Sequence, residues 1–479
     1  METGYETVIG LEVHAQLLTE SKLFSGDSAA FGSGPNTHIS PIVLAHPGTL
    51  PMLNKKAVEY AVKLGLACHC NITRSNYFAR KNYFYPDLPK GYQISQHTTP
   101  ICVGGYVAIK SAEGKKNIEL NRIHLEEDAG KSIHDIDDKA TCLDYNRAGV
   151  ALVEIVTEPC LSSGEEAYAY LTELRKILRY VKVCDGNMEE GSMRCDANIS
   201  VRRKGDTKLG TKVEVKNLNS IRNVKRAIEF ESERLIKILE YGDKVIQQTR
   251  SFDASTGTTF ALRTKEEAND YRYFPDPDLV PFIVTQETVS TIRESLPSLP
   301  EERINIYTEK YSLPEYDATV LTEEIEFADY YEQVIQFTDN YKAASNWLLG
   351  PVKSYLNNNG LSIGDFSLPP SAIADLIKLN DEGKVNFSAA SSAIFPAMIR
   401  EPGKSAIAIA TEKNLIQDAG EDEVSTWVDE VLNKMPDKVS EYRKGKKGLM
   451  GLFVGEVKKV SKGKADLKLT NEILLQKLK

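Results

Sequence analysis

The stretch Thr7-Val8-Ile9-Gly10-Leu11-Glu12-Val13-His14-Ala15-Gln16-Leu17 repeats with a period of two. Ile9, Leu11, Val13, Ala15 and Leu17 fall on one side, and Val8, Gly10, Glu12, His14 and Gln16 on the other. That period marks a β-strand with one buried face, and an antiparallel sheet leaves its second face open. Glu12 and His14 share the open face, roughly 6.5 Å apart along the strand, so both can lean toward one cation or phosphate group. A strand whose outer face is simply wet has the same pattern. This stretch therefore sets the sheet and leaves the chemistry open.

Later segments repeat the device with more telling side chains. From Ile118 the apolar parity shifts, Ile118 and Leu120 giving way to Ile123 and Leu125, which predicts a bulge near Asn121 and Arg122. The shift re-aims His124 and Glu126 just before Glu127 and Asp128. Three successive acids at a strand end call for solvent or a divalent cation. Ala151 to Thr157 is an apolar strand interrupted by Glu154, a carboxylate that must be paired, metal-bound or protonated if it is buried. Cys195 to Val201 alternates again, aligning Arg194, Asp196, Asn198, Ser200 and Arg202, and Thr211 to Lys216 aligns Lys212, Glu214 and Lys216. Strands that present acids, amides and cations, in place of Thr and Ser, predict a concave charged site. Gly130-Lys131-Ser132 matches the end of a phosphate-loop motif, but Leu125 stands where that motif requires its first glycine.

The intervening segments supply helices and loops. Ala57 to Ala67 has an apolar stripe of Val58, Ala61, Val62 and Leu66. Ser163 and Glu166 read as a capping box opening a helix whose core face is Ala167, Leu171, Leu174, Leu178 and Val181. Asn219 or Ser220 caps another helix, carrying Val224, Ala227, Ile228, Leu235 and Leu239. Phe78 to Gln96 reads as a loop because Pro86 and Pro89 remove backbone donors. Its rings, Tyr83 and Tyr85 among them, interleave with Arg80, Lys81 and Lys90, a composition that can stack bases and hold phosphates or simply pack an ordered loop.

Phe78 to Gln96, His124 to Ser132, Asp144 to Pro159 and Met188 to Ser220 together resemble the B subunit of the bacterial glutamyl/aspartyl-tRNA amidotransferase. The likeness runs from about Glu6 to the C-terminus, with departures at Ala151, where proline is expected, and Cys160, where an acid is expected. The resemblance implies an α+β chain: a mainly antiparallel-sheet cradle akin to glutamine synthetase and guanidino kinases over residues 1–296, an all-α helical domain over 297–410 and a small α-helical tail over 411–479. It also implies ATP-dependent phosphorylation of the side-chain carboxylate of Glu-tRNA(Gln) or Asp-tRNA(Asn), followed by amidation. Ammonia would come from the amidase, which is the A subunit of such an enzyme, with a small C subunit completing a heterotrimer. This chain has no amidase-type Ser-cis-Ser-Lys arrangement of its own. Candidate Mg²⁺ ligands are Glu12, His14, Glu126, Glu127, Glu154 and Asp196, more than one ion takes, with His14 the least typical. Catalysis would draw on Glu126 and Glu127, with Lys81, Arg194 and Lys216 holding phosphates, and the nucleotide on Lys81, Tyr83, Tyr85 and Lys90.

Composition bounds the alternatives. At 479 residues, 41% hydrophobic and 27% charged, the chain is an ordinary globular protein of more than one domain. No apolar run approaches the roughly 20 residues that span a bilayer, and Glu2 and Glu6 replace a basic leader, so a cytoplasmic location is expected. Seven cysteines follow no disulfide spacing, and Cys68-His69-Cys70 lacks the second pair of a zinc site, which favours buried thiols at a helix end. Asp270 to Pro281 reads as a turn region and Leu296 to Pro300 as a linker. From Glu301 helices dominate, with Trp347 and Leu348 in the core. Arg443 to Lys468 carries nine Lys or Arg against two acids, while the whole chain is at −9. A basic patch beside hinge glycines Gly445, Gly448, Gly451 and Gly455 suits a tail that holds a polyanion. An RNA-binding scaffold without chemistry would share that tail, but it has little reason to place Glu154 in an apolar strand. A metal-dependent hydrolase would need a ligand motif such as His-Glu-x-x-His, which is missing.

Overall fold

The computed structural model describes residues 4–112, 114–264, 271–417, 420–461 and 464–479, in two compact units, Met1–Leu299 and Pro300–Lys479. Glu2, Asp270 and Lys462, each invoked above, lie outside the described residues.

The first unit is organised by the strand Tyr5–Gln16, which sits in the middle of a 13-stranded sheet between Met193–Arg203 and Ala151–Thr157. Gly114–Glu127, Tyr92–Ser95, Ala79–Asn82 and Phe274–Pro275 continue the sheet on one side; Val213–Leu218, Gln248–Asp253 and Thr258–Thr264 continue it on the other. Neighbours along this path are antiparallel except Val213–Leu218 with Gln248–Asp253. The period-two reading holds: Ile9, Leu11, Val13 and Ala15 are fully buried, while Glu12, His14 and Gln16 stay partly open. Ile9, Leu11 and Val13 each contribute about 1.5–3 kcal/mol when buried. The helices Lys55–Ala67, Gly164–Tyr180 and Ile221–Glu240 share a hydrophobic core with that face through Ala61, Leu171, Leu174, Val224 and Ala227. The polar face is left to the site.

The expected bulge is present. Val156 pairs with Arg122 and Thr157 with Leu120, so Asn121 is the extra residue, and His124 and Glu126 point to the face that Glu12 and His14 occupy. Phe78 to Gln96 needs correcting, since it is not loop throughout. Ala79–Asn82 and Tyr92–Ser95 pair as strands, and Pro86 and Pro89 occupy only their connection. The cation and aromatic positions near its ends thereby gain a fixed orientation. Phe274–Pro275, inside the expected turn region, pairs with Ala79–Asn82 as a short edge strand. The capping box is shared: Ser163 Oγ accepts from Glu166 N at 3.1 Å, but the Glu166 carboxylate accepts from Ser162 N, one residue upstream. Ser220, not Asn219, caps the third helix. Cys68 and Cys70 are buried thiols just beyond the helix Lys55–Ala67.

The second unit is helical and has two hydrophobic cores. One is built around Tyr307, Tyr331, Trp347, Leu348 and Phe395 and runs to Ala410, with Leu415 and Ile416 against it. The other begins at Val424 and gathers Val428, Tyr442, Phe453 and Leu474. Pro300 opens the helix Pro300–Glu309, where its missing N–H costs nothing. Of the four tail glycines named above, Gly445 alone has a left-handed φ, at +110° after the helix Pro436–Arg443. Gly451 and Gly455, read above as hinges, instead lie within the helix Met450–Val460.

Candidate active site

Strand register assembles the site. His14 lies directly opposite Glu154 on one side and Arg194 on the other, and Glu154 lies opposite His124. The next row along the first strand places Glu12 opposite Asp196. Because cross-strand neighbours on one face stand about 4.5–5.5 Å apart, residues distant in sequence converge without any loop having to carry them.

Two imidazoles and two carboxylates form the centre. His14 Nε2 is 3.5 Å from Glu154 Oε2 and 3.6 Å from Glu126 Oε1. His124 Nε2 approaches the same two acids at 3.5 and 3.6 Å, with Glu154 Oε2 shared between both rings. Glu126 and Glu154 are buried, and each is held below the ordinary carboxylate range: burial opposes ionisation, but bonding to His124 and His14 respectively outweighs it. Burial pulls His14 down, yet Glu154 and Glu126 raise it above its ordinary value. A second acidic group, Glu12, Asp196 and Glu214, adjoins the first, with Lys216 Nζ bonded to Asp196 and 3.1 Å from Glu214 Oε1.

These groups line two adjoining cavities of about 310 and 620 Å³, which share His14, Lys81, Asp196 and Lys216. Lys81 stands over the ring of Tyr271 at 5.0 Å and near that of Tyr83 at 5.8 Å. Burial works against its charge, but Glu126, Tyr273 and Glu154 lift it above the ordinary lysine value. His97 stacks on Tyr273 at 4.0 Å and completes an aromatic wall. In the larger cavity Arg194 Nη2 donates to Asp128 Oδ2 at 2.7 Å, and Gln16 Nε2 donates to the same oxygen at 2.8 Å. Burial raises Asp128, but Arg194 and Arg147 bring it below its ordinary range.

Glu12, His14, Glu126, Glu154 and Asp196 are thus brought together with Lys81, Tyr83, Arg194 and Lys216 around them. Glu127, Lys90 and Tyr85 are not part of this group. Alternation along the strand sends the Glu127 carboxylate away from Glu126, where it accepts from Lys90 Nζ at 2.7 Å and Ile94 N at 2.9 Å. That pair borders a separate cavity of about 210 Å³ with Phe24, Ile42, Tyr92 and Gly149. Tyr85 is exposed on the connection between the two strands. His124 and Glu214 belong to the site without having been assigned a role from sequence. Their signal was there, in the parity shift before His124 and in the face Glu214 shares with Lys216.

The donor set suits a hard divalent cation. His14, Glu126 and Glu154 each offer an atom within 4.8 Å of the others, and so do Glu12, Asp196 and Glu214. Burial, then the charges of Glu154 and Asp196, push Glu12 above its ordinary value, the mark of clustered acids that lack sufficient positive charge nearby.

Comparison with known proteins gives two family matches. The model for the GatB/GatE catalytic domain matches residues 7–290, and the GatB domain matches 329–478. The chain belongs to the GatB/GatE family. Among its relatives, the B subunit of the aspartyl/glutamyl-tRNA(Asn/Gln) amidotransferase from Thermodesulfovibrio yellowstonii is 50% identical over 475 residues, covering 99% of each chain. The proteins of that name from Thermoanaerobacter sp. strain X514 and Geotalea uraniireducens are also 50% identical, over 474 and 479 residues, again covering 99% of each chain. Every residue of the carboxylate and imidazole group falls within the catalytic-domain match.

Proposed function

We propose that this chain is the component of a tRNA-dependent amidotransferase that activates the side-chain carboxylate of Glu-tRNA(Gln), Asp-tRNA(Asn) or both with ATP and exchanges it for an amide. The observation that carries the reading is the pair of acidic groups on one sheet face, flanked by Lys81, Lys216 and Arg194. A carboxylate is a poor electrophile. In the reaction one of its oxygens attacks the γ-phosphorus, the bond to ADP breaks, and an acyl phosphate forms. Ammonia then attacks the acyl carbon, loses a proton, and inorganic phosphate leaves with that oxygen.

The residues divide this work by charge. Glu12, His14, Glu126, Glu154, Asp196 and Glu214 would hold Mg²⁺, with His124 orienting Glu126 and Glu154. Mg²⁺, when bound, neutralises phosphate charge and orients the γ-phosphoryl group. Lys81 and Lys216 stay protonated and accept negative charge in a desolvated cleft, where it counts for more than in water. Arg194, fixed by Asp128, offers a planar fork to a carboxylate or phosphate. Tyr83, Tyr271 and Tyr273 keep water from the reacting atoms.

The sheet, covered by helices on one face and open on the other, supports the cradle likened above to glutamine synthetase and guanidino kinases. We assign the cradle to residues 1–296, the helical domain to 297–410 and the basic tail from 411, whose own core starts at Val424. The amidase and the small third component of the heterotrimer, together with misacylated tRNA, are the proposed partners, and the cytoplasm the proposed location. Among the described residues no helix is long and apolar enough to cross a membrane. A catalytically silent scaffold fits less well, because a buried carboxylate between two histidines brings an RNA-holding surface nothing. Incubation with the amidase partner, ATP, Mg²⁺ and misacylated tRNA tests the reading: amidated tRNA formed only with ATP supports it, and ATP-independent amidation refutes it.

A further inference from the structure

Lys81 carries its charge on a four-carbon stem with many rotamers, and the chain gives its tip little to hold. Among the described residues Lys81 Nζ makes no hydrogen bond and no ion pair. What it meets are ring faces, Tyr271 at 5.0 Å and Tyr83 at 5.8 Å. A ring face attracts an ammonium, most strongly where water is excluded, so these rings aim the charge. Tyr83 follows Lys81 closely in the chain. Tyr271 comes from a distant segment, and its place depends on how that segment is fastened.

The two residues that flank Lys81 do the fastening. Asn82 N donates to Tyr271 O at 3.0 Å, and Asn82 Nδ2 donates to Arg272 O at 2.8 Å and to Tyr271 O at 3.3 Å. Arg80 lies opposite Phe274 at the sheet edge, and its Nε donates to Asp276 Oδ2 at 2.9 Å and its Nη2 to Asp278 Oδ2 at 2.7 Å. The Asp276 side chain is fully buried, and its other oxygen accepts from Asp278 N at 2.8 Å. The Arg80 guanidinium also lies over the ring of Tyr92 at 4.2 Å, so both partners of this clasp are held from a second side. Between the two fastenings Arg272 sits at φ +45°. A residue with a Cβ disfavours that conformation and keeps it where its surroundings fix it, here by the Asn82 amide on its carbonyl. Alternation along Ala79–Asn82 turns Arg80 and Asn82 away from the cavities that Lys81 lines.

We propose that Arg80 and Asn82 are positioning residues that fix residues 271–278 so that the Tyr271 ring aims the Lys81 ammonium at the reacting phosphates. What Lys81 is aimed at rests on the ATP-dependent activation argued above; how it is held does not. The assembled amidotransferase serves for the test. Asn82→Ala removes the amide and leaves the backbone bond to Tyr271, and Asp276→Asn removes the charge that Arg80 clasps. Trace acetylation without ATP, quantified by mass spectrometry, reads the ammonium directly, because an amine released from a ring face loses part of what stabilises its charged form. Lys81 should acetylate about fivefold faster in either variant. Lys216, tied to Asp196 and Glu214 in the same cavities, should keep its rate. The kcat for amidation should fall roughly 10- to 100-fold, with the ATP KM changing less. In a Lys81→Met background the further loss from Asn82→Ala should be less than about twofold, since its effect passes through Lys81. Unchanged Lys81 acetylation in both variants would overturn the proposal. So would a joint rise at Lys81 and Lys216, which reports general loosening, or an equal loss from Asn82→Ala with and without Lys81. Wild-type amidation that needs no ATP would instead remove the activation reading, and the acetylation comparison would still decide how Lys81 is held.

Discussion

His14 and Glu154 are direct cross-strand partners, with Nε2 3.5 Å from Oε2, although 140 residues separate them in the sequence. The pairing ties the candidate metal group to sheet register, so one residue of slippage would send either side chain into the helical core. Glu154→Gln keeps the volume and removes the charge. It should lower ATP-dependent amidation by about 100-fold or more while leaving partner assembly and glutamine hydrolysis by the partner intact. Mn²⁺ binding followed by paramagnetic resonance should weaken in parallel; undiminished amidation would remove Glu154 from the ligand set.

Arg194 is held by Asp128, which also accepts from Gln16. A guanidinium fixed in this way recognises a carboxylate or phosphate by two parallel bonds, which an ammonium cannot reproduce. Arg194→Lys should therefore cost about 1.5–3 kcal/mol of transition-state binding, read as a fall of roughly 10- to 150-fold in kcat/KM for aminoacyl-tRNA. If the variant matches the wild type, Arg194 serves the fold alone.

How much of this could be read beforehand follows from the physics of strands. Alternation is local, so the faces of Glu12, His14, Asp196 and Lys216 were legible, and so was the Asn121 bulge from the change in apolar parity. Convergence is not local: which strands lie side by side depends on the sheet order, which no period reveals. Glu127 shows the other limit. Three acids in a row suggest one cluster, but a strand sends successive side chains to opposite faces, and Glu127 pairs with Lys90 in a different cavity. The prolines of Phe78 to Gln96 masked two short strands because their effect reaches only the connection. Gly451 and Gly455 misled for the opposite reason, since a helix with enough packed neighbours tolerates glycine.

Lys22 gives a pH-dependent prediction that is independent of the metal group. It is fully buried, and its Nζ donates to His38 O at 2.7 Å and Tyr145 O at 3.3 Å. Burial brings its pKa down to about 8 from the ordinary 10.5. Between those values the unfolded chain binds the proton and the folded chain does not, so this group makes stability rise with pH. Relative to Lys22→Met, the wild type should gain thermal stability as pH climbs from about 8 toward 10. Parallel melting curves against pH would contradict the shift.

The tail supplies an electrostatic test. Some of its lysines are already matched within the fold, Lys446 with Glu441 and Lys459 with Glu456, while Lys444 and Lys458 are exposed. Removing residues 418–479 cuts between the two cores of the helical unit and spares Leu415 and Ile416. Each tail cation engaged with a tRNA phosphate adds to the salt dependence of binding. The truncated complex should bind tRNA more weakly and with a flatter slope against log salt in filter binding, yet still support glutamine hydrolysis. Equal slopes would reduce these lysines to a solubilising surface.

The central claim is that a carboxylate is activated by phosphorylation on this sheet face, and oxygen transfer reports it most directly. Glu-tRNA(Gln) or Asp-tRNA(Asn) carrying ¹⁸O in the side-chain carboxylate is amidated by the complex with unlabelled ATP, and the inorganic phosphate is weighed by mass spectrometry. Activation through an acyl phosphate predicts one ¹⁸O atom in the phosphate for each amide formed, with transfer lost together with amidation in Glu154→Gln. Unlabelled phosphate accompanying normal amide formation would contradict it.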